Sequence, residues 1–180
     1  MRNNAPTVCL FGPESTGKTT LAQELSGQLG AIFVPEYGRF YCEAFGNKCD
    51  ADDLRAIVAG HTLLARAARR KARAGLVILD TDAVMTVVWA SVLLGQRPAD
   101  LDRVDEPADL YLLAEVDVPF AADTIRYFPD QPSRARLFGI CREELDRRKL
   151  PYVLISGDHA QRLATALKAI RARFGIALPT

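Results

Sequence analysis

Short, continuous apolar runs alternate with longer amphipathic stretches along the whole chain. The runs are rich in aliphatic residues and lie at 7–11, 31–34, 76–79, 110–114 and 152–155. Runs of this length are typical of strands that are covered on both faces of a parallel sheet. Between them apolar residues recur at helical spacing, as in a stretch from about Asp52 to Ala74 that follows Asp50, a predicted N-cap, and stops at Gly75. The pattern predicts an α/β fold with a parallel sheet.

The turn after the first apolar run carries the sequence GPESTGKT at residues 12–19, followed by an amphipathic helix. This is the pattern and the context of a phosphate-binding P-loop. Its glycines let backbone N–H groups surround the phosphates, Lys18 reaches the β and γ oxygens, and Thr19 offers its hydroxyl to Mg²⁺. We therefore predict that ATP and Mg²⁺ are cofactors, and that the nucleotide contacts Gly12, Pro13, Glu14, Ser15, Thr16, Gly17, Lys18, Thr19 and Thr20.

The third apolar run ends in Asp80, with Thr81 and Asp82 directly after it. In P-loop proteins an acid at this position holds Mg²⁺ or its waters, so we predict that Asp80 and Thr19 form the metal site. If the chain stays extended, Asp82 projects into the same cleft, where it orients a substrate hydroxyl or accepts its proton. The alternative is that Asp82 caps a helix beginning near Ala83.

The second apolar run ends at the sequence PEYGR, residues 35–39. Because ligands bind at the carboxyl edge of an open α/β sheet, we predict a substrate site here. Glu36 supplies an acid, Tyr37 a stacking surface and Arg39 a cation for phosphate or carboxylate. Either Glu36 or Asp82 is the catalytic base, and the residues alone do not decide between them.

Two further segments are predicted to contact the nucleotide. Residues 118–137 have the character of a lid, whose arginines close over the γ-phosphate during phosphoryl transfer: Arg126 as a catalytic residue, with Arg134 and Arg136. Gly157 and Asp158 join the last strand to the last helix at the carboxyl edge of the sheet, where we predict contact with adenine, and Asp158 is also a candidate N-cap.

The sequence NKCD at residues 47–50 matches the NKxD pattern by which many GTPases recognise guanine. It precedes Asp80, whereas in GTPases it follows a later strand. We interpret it as a turn with the Asp50 cap. A basic cluster from Arg66 to Arg73 is interpreted as a solvated helix face rather than a polyanion site.

Composition narrows the function classes. A chain of 180 residues with net charge +1 fits one domain and gives no electrostatic case for a nucleic-acid or membrane partner. It contains no apolar stretch long enough for a bilayer and no signal-peptide core at its start, so we expect a cytoplasmic location. Four scattered cysteines are expected to be reduced, partly buried thiols.

The sequences GPESTGKTTL, PEYGRF and VILDTDAV and the segment from Asp117 to Arg126, in this order, resemble the ribosylnicotinamide kinase domain of NadR-type NAD-salvage proteins, an AAA-type NadR-like ATP-binding family. The resemblance covers nearly the whole chain. It implies a three-layer α/β P-loop NTPase fold of the adenylate and nucleoside kinase type, and phosphorylation of nicotinamide riboside with MgATP. It also places Glu36, Arg39, Asp80 and Asp82 in the substrate and metal region. Only six residues precede the first strand, so we expect no adenylyltransferase domain.

Together these features predict a single domain over residues 1–180, with a five-stranded parallel sheet in the order 2-3-1-4-5. The predicted function is a small-molecule kinase with a nucleoside-like substrate, nicotinamide riboside first. Another nucleoside or a sugar-like alcohol is the enzymatic alternative. The alternative outside the enzymes is a regulatory module that binds a nucleotide without phosphotransfer. A homo-oligomer is compatible with the sequence.

Overall fold

The computed structural model describes residues 5–72, 75–118, 128 and 130–176. Its five strands are β1 (Thr7–Phe11), β2 (Ile32–Val34), β3 (Val77–Asp80), β4 (Leu110–Ala114) and β5 (Tyr152–Ile155). Its helices are α1 (Lys18–Leu29), α2 (Tyr37–Phe45), α3 (Ala51–Ala72), α4 (Ala83–Leu93), α5 (Ala99–Asp102), α6 (Gln131–Arg147) and α7 (His159–Phe174). Each strand lies within one residue of its predicted position.

The strands form one sheet in the order β2-β3-β1-β4-β5, and every neighbouring pair is parallel. The predicted order is therefore confirmed. β1 lies at the centre, between β3 and β4, and its carboxyl end leads into the P-loop. Since all strands run the same way, the turns that follow β1, β2 and β3 meet at one edge of the sheet and can build a single site.

Helices cover both faces of the sheet, which makes the predicted three layers. Alternate residues of β1 point to the two faces of the sheet. Cys9 and Phe11 pack with residues of α3, α4 and α6 on one face, and Val8 and Leu10 pack with residues of α1 and α7 on the other. Burial on both faces explains why the strands are continuously apolar. Among the described residues no helix is long and apolar enough to cross a bilayer.

Local capping signals were predicted well. The Asp50 carboxylate accepts the backbone N–H groups of Asp52 and Asp53 at 2.8 and 3.0 Å, so the NKxD-like sequence is a turn that starts α3. In the basic cluster at the end of α3, Arg66 is 41% exposed and pairs with Glu106, as expected of a solvated helix face. Arg69 departs from this expectation: it is 11% exposed, pairs with Asp109 and donates to the Thr7 hydroxyl. Arg73 lies outside the described residues.

Candidate functional site

The P-loop backbone takes up conformations that its glycines allow. Gly12 has φ of +124° and Gly17 has φ of +77°, in the region that L side chains rarely adopt. A Cβ on Gly12 would also lie 2.9 Å from the Ala114 carbonyl oxygen, so only glycine fits between β1 and β4. Inside the loop the Thr16 hydroxyl and the Lys18 ammonium donate to the Pro13 carbonyl, at 2.9 and 2.5 Å.

Two buried arginines hold the outside of this loop. Arg134 donates to the Ser15 carbonyl at 3.1 Å, and Arg162 donates to the Thr16 carbonyl at 2.9 Å. Only 2% of Arg134 and 4% of Arg162 is exposed, so both act as rigid supports. Arg162 also donates to the Gly157 and Glu115 carbonyls and pairs with Asp117, tying the P-loop to the ends of β4 and β5.

The predicted lid is corrected in part. Arg134 is not an exposed lid arginine: besides Ser15, it donates to the Val118 carbonyl, because the first turn of α6 packs beneath the P-loop. Arg136 lies on the exposed face of α6 and does not line the cavity described below. Residues 119–127 and 129 lie outside the described residues, and the predicted catalytic Arg126 is among them.

The predicted adenine segment is ordered by its own hydrogen bonds. Gly157 donates its N–H to the Asp117 carboxylate at 2.6 Å. Asp158 caps α7 in a capping box with Gln161, which confirms its predicted N-cap role. Contact of this segment with adenine stays a prediction.

The predicted metal residues meet where the end of β3 lies beside the start of α1; Thr19 lines the cavity described below, and Asp80 lies behind it. Burial raises the pKa of Asp80 above its usual value, against the opposing effects of a hydrogen bond from Thr19 and of the Lys18 charge. Asp80 is 2% exposed, and its Oδ1 has no hydrogen-bond partner among the described residues. A buried carboxylate oxygen without a partner is costly unless a cation meets it, so this hydroxyl and carboxylate fit Mg²⁺. The described residues hold no group of three or more His, Cys, Asp or Glu side chains that could bind a metal unaided. Phosphate oxygens would complete the coordination.

We expect Asp80→Asn to raise the Mg²⁺ concentration that gives half-maximal turnover by at least tenfold, because the amide oxygen carries no charge. A titration with Mg²⁺ at saturating ATP measures this shift. Asp82→Asn is the matched control: it changes a carboxylate two residues away and should leave the Mg²⁺ midpoint in place. Equal midpoints in the Asp80 variant and the unsubstituted protein would refute the assignment.

Asp82 does not project into the cleft, contrary to the prediction. Thr81 has φ of +66°, so the chain turns after Asp80 instead of staying extended. The Asp82 carboxylate caps α4, accepting the Val84 N–H at 3.0 Å, and accepts the Tyr111 hydroxyl at 2.5 Å. Burial raises its pKa. The alternative of a helix cap is therefore the observed one, and Asp82 does not line the cavity.

A cavity of about 220 Å³ opens beside the P-loop. At one end it is lined by most of the predicted P-loop residues. At the other end the lining is mainly apolar and comes from α2, α3, α4 and the turn after β3. The residues that line the whole cavity are Gly12, Glu14, Ser15, Thr16, Gly17, Lys18, Thr19, Thr20, Glu36, Gly38, Arg39, Cys42, Cys49, Leu54, Ile57, His61, Thr81, Met85, Thr86, Trp89 and Leu93. The site thus joins a phosphate-binding end to an apolar chamber.

Glu36 lines the cavity between its phosphate end and its apolar chamber. It follows β2 as the residue before α2, and its carboxylate makes no cap hydrogen bond to that helix. Burial raises its pKa to about 7, against the opposing effect of Lys18, while Asp80 adds to the rise. A carboxyl group with a pKa near neutrality is suited to accept a proton at physiological pH.

Tyr37 does not supply the predicted stacking surface. Its ring packs on α3, where a Cβ at Gly60 would overlap it. It also meets the ring of His61 edge-on, with 6.2 Å between the ring centroids. The aromatic residue that lines the cavity is Trp89 of α4, whose ring stacks on Phe128 with 5.9 Å between centroids. No sequence signal pointed to Trp89, because α4 is largely apolar and a tryptophan in such a helix is expected in the core.

The remaining chamber residues include polar groups. Arg39 lines the cavity as predicted and pairs with Glu43 at 3.0 Å. Burial lowers the pKa of His61 to about 4, so its ring is neutral at pH 7. Cys42 and Cys49, apart in the sequence, face each other with their sulfurs 3.8 Å apart, and all four cysteines are free thiols.

Residues 7–162 match the family model described as AAA domain. The chain belongs to this AAA-domain family. A curated relative of this AAA domain is the trifunctional NAD biosynthesis/regulator protein NadR of Escherichia coli, strain K12. The two are 27% identical over 176 residues, which cover 94% of the chain and 43% of the relative. The chain therefore spans less than half the length of that protein.

Solved structures agree with the sequence match. A structure of NadR in complex with NR has a TM-score of 0.78 and 26% identity to this AAA domain, covering 98% of the chain and 53% of that structure. A NadR complex with NAD and AMP-PNP has a TM-score of 0.77 and 25% identity, covering 98% and 51%. Thymidylate kinase from Candida albicans, at 16% identity, shares the fold with a TM-score of 0.72, covering 98% and 96%. The P-loop kinase fold is thus confirmed.

Proposed function

We propose that this domain transfers the γ-phosphoryl group of ATP to the 5′-hydroxyl of a nucleoside, and that the nucleoside is nicotinamide riboside. The observation that carries the proposal is a continuous cavity that runs from the P-loop past Glu36 into a chamber containing Trp89. Similarity to NadR, solved with NR and with AMP-PNP, supports both substrates.

At the phosphate end the chain's own groups bind and orient ATP. The P-loop N–H groups and Lys18 hold the β- and γ-phosphates, and the buried Arg134 and Arg162 keep the loop in its shape before ATP arrives. Mg²⁺, bound by Thr19 and Asp80, would neutralise phosphate charge. Phosphoryl transfer needs little covalent help from the protein, so positioning and charge account for most of its rate.

At the acceptor end Glu36 takes the proton. The acceptor oxygen forms a bond to the γ-phosphorus, the bond from that phosphorus to the β,γ-bridging oxygen breaks, and ADP leaves with those electrons. The hydroxyl proton moves to the Glu36 carboxylate. Asp82 has no part in this step, because its carboxylate caps α4 and binds Tyr111.

The chamber favours a cationic aromatic base. The Trp89 ring offers an electron-rich face, and the Glu36 and Glu14 carboxylates line the same cavity. The nicotinamide ring of the riboside carries a positive charge, whereas uracil, cytosine and thymine are neutral. At a desolvated site the cation–π contribution reaches about 2 kcal/mol, or roughly thirtyfold in selectivity.

We expect kcat/KM for nicotinamide riboside to exceed that for uridine, cytidine and thymidine by about thirtyfold. ADP release and product mass, measured for each acceptor with ATP and Mg²⁺, test this. Trp89→Leu should remove most of the kcat/KM advantage of the cationic substrate, while lowering kcat/KM for the neutral nucleosides less.

Two results would count against the proposal. A preference of the unsubstituted protein for a neutral nucleoside would leave a nucleoside kinase with another acceptor. Turnover of no acceptor, with ATP still bound, would favour the regulatory module without phosphotransfer.

A further inference from the structure

Thr81 occupies the turn between the metal-binding end of β3 and the start of α4. Its φ of +66° lies in the left-handed region, which β-branched residues avoid because the side chain crowds the backbone. Its N–H donates to the Leu10 carbonyl at 3.1 Å, so the neighbouring strand β1 fixes the turn. Strained backbone of this kind is typical of functional sites.

The Thr81 hydroxyl is also unsatisfied. The residue is 3% exposed, and its Oγ1 has no hydrogen-bond partner among the described residues. Valine would have nearly the same shape and would avoid this cost. Thr7 shows the usual arrangement in the same sheet: its buried hydroxyl donates to Asp109 at 2.9 Å and accepts from Arg69 at 2.7 Å.

The position of Thr81 in the cavity indicates which group could be the hydrogen-bond partner of its hydroxyl. Thr81 lines the cavity and directly follows Asp80, the last residue of β3. On its other side α4 begins, and Met85 and Thr86 of that helix line the acceptor chamber. Thr81 therefore lies between the phosphate end and the acceptor chamber of the cavity, which Glu36 also lines.

We infer that the Thr81 hydroxyl donates a hydrogen bond to the acceptor hydroxyl oxygen and holds it in line with the γ-phosphorus. The inference rests on the proposed kinase function. The acceptor hydroxyl has two lone pairs and one proton. One lone pair attacks the γ-phosphorus, the proton goes to Glu36, and the second lone pair accepts the hydrogen bond from Thr81. In a loose transition state, orientation of the nucleophile matters more than its electron density, so a donor here assists the reaction.

The test compares Thr81→Val, Thr81→Ser and, as a matched control, Thr7→Val. Thr81→Val should lower kcat by at least tenfold and raise KM for nicotinamide riboside, with KM for ATP unchanged within twofold. Thr81→Ser keeps the hydroxyl and should retain kcat within about fivefold. Without ligands, Thr81→Val should melt about 3 °C higher than the unsubstituted protein, because it removes an unsatisfied group. Thr7→Val should melt lower and keep its kinetic constants.

A structural role would reverse the melting result. A lower melting temperature in Thr81→Val, or kinetic constants equal to those of the unsubstituted protein, would overturn the inference. A rise in KM for ATP alone would overturn it too, since the hydroxyl would then bind the nucleotide. If the unsubstituted protein phosphorylates no acceptor, the proposed function fails and this inference fails with it. An active protein that Thr81→Val leaves unaffected refutes only the role of Thr81.

Discussion

Lys18→Ala should abolish phosphoryl transfer, by about a thousandfold or more, and leave the protein folded. Lys18 lines the phosphate end of the cavity and is the one P-loop side chain that brings a positive charge to the β and γ oxygens. Loss of one preorganised donor to a developing charge already costs 10²–10³ in rate, roughly, and a full charge is worth more. Steady-state ADP release measures the effect.

The fold should survive, because Lys18 is only partly buried and makes one local bond, to the Pro13 carbonyl at 2.5 Å. Loss of that bond costs about 1 kcal/mol, a melting shift of a few degrees. Lys168→Ala, on the exposed face of α7, is the matched control and should change neither rate nor melting temperature. A folded Lys18→Ala protein with normal turnover would refute the P-loop assignment.

Glu36→Gln should lower kcat by about 10² to 10³ and change the pH profile, since general base catalysis contributes factors of this size. In the unsubstituted protein kcat/KM should rise with pH through about 7, the pKa to which burial raises Glu36, because only the carboxylate accepts a proton. The glutamine variant should lack this rise. Glu143→Gln, an exposed residue of α6, should keep the full profile.

The same substitution should also stabilise the protein at alkaline pH. Because folding raises the pKa of Glu36 from 4.5 to about 7, the folded state favours the neutral form. The stability that this group contributes is present below about pH 4.5 and is lost as pH rises through about 7. Glutamine stays neutral, so at pH 8 the variant should be more stable by about 2 kcal/mol, allowing for the partial exposure of Glu36.

Melting curves of the two proteins at pH 5 and pH 8 test the sign. A gain at pH 8 that is much smaller at pH 5 supports a Glu36 carboxyl whose pKa the folded state raises. An unchanged kcat in Glu36→Gln, with the pH dependence retained, would show that another group accepts the proton.

The fold could be predicted from the sequence because its signals are local. The strands of a doubly covered sheet must be apolar on both faces, so runs such as 7–11 and 110–114 stand out. The P-loop needs glycine at 12 and 17 for backbone reasons, and its lysine follows at fixed spacing. Asp50 and Asp158 cap helices through bonds to residues two or three positions away. These features depend on neighbours in the chain.

The details of the acceptor site depend on distant residues and were decided by the tertiary structure. Asp82 was expected in the cleft, but the left-handed turn at Thr81, fixed by β1, directs it to Tyr111 of β4. Tyr37 was expected to face the substrate, but it packs on α3 because Gly60 leaves room for its ring, and Trp89 lines the cavity. The pKa of Glu36 follows from burial by elements far apart in the chain. The sequence alone thus determined the P-loop, the topology and the family resemblance, whereas the roles of its acids and aromatic residues required the packing of helices that only the folded chain brings together.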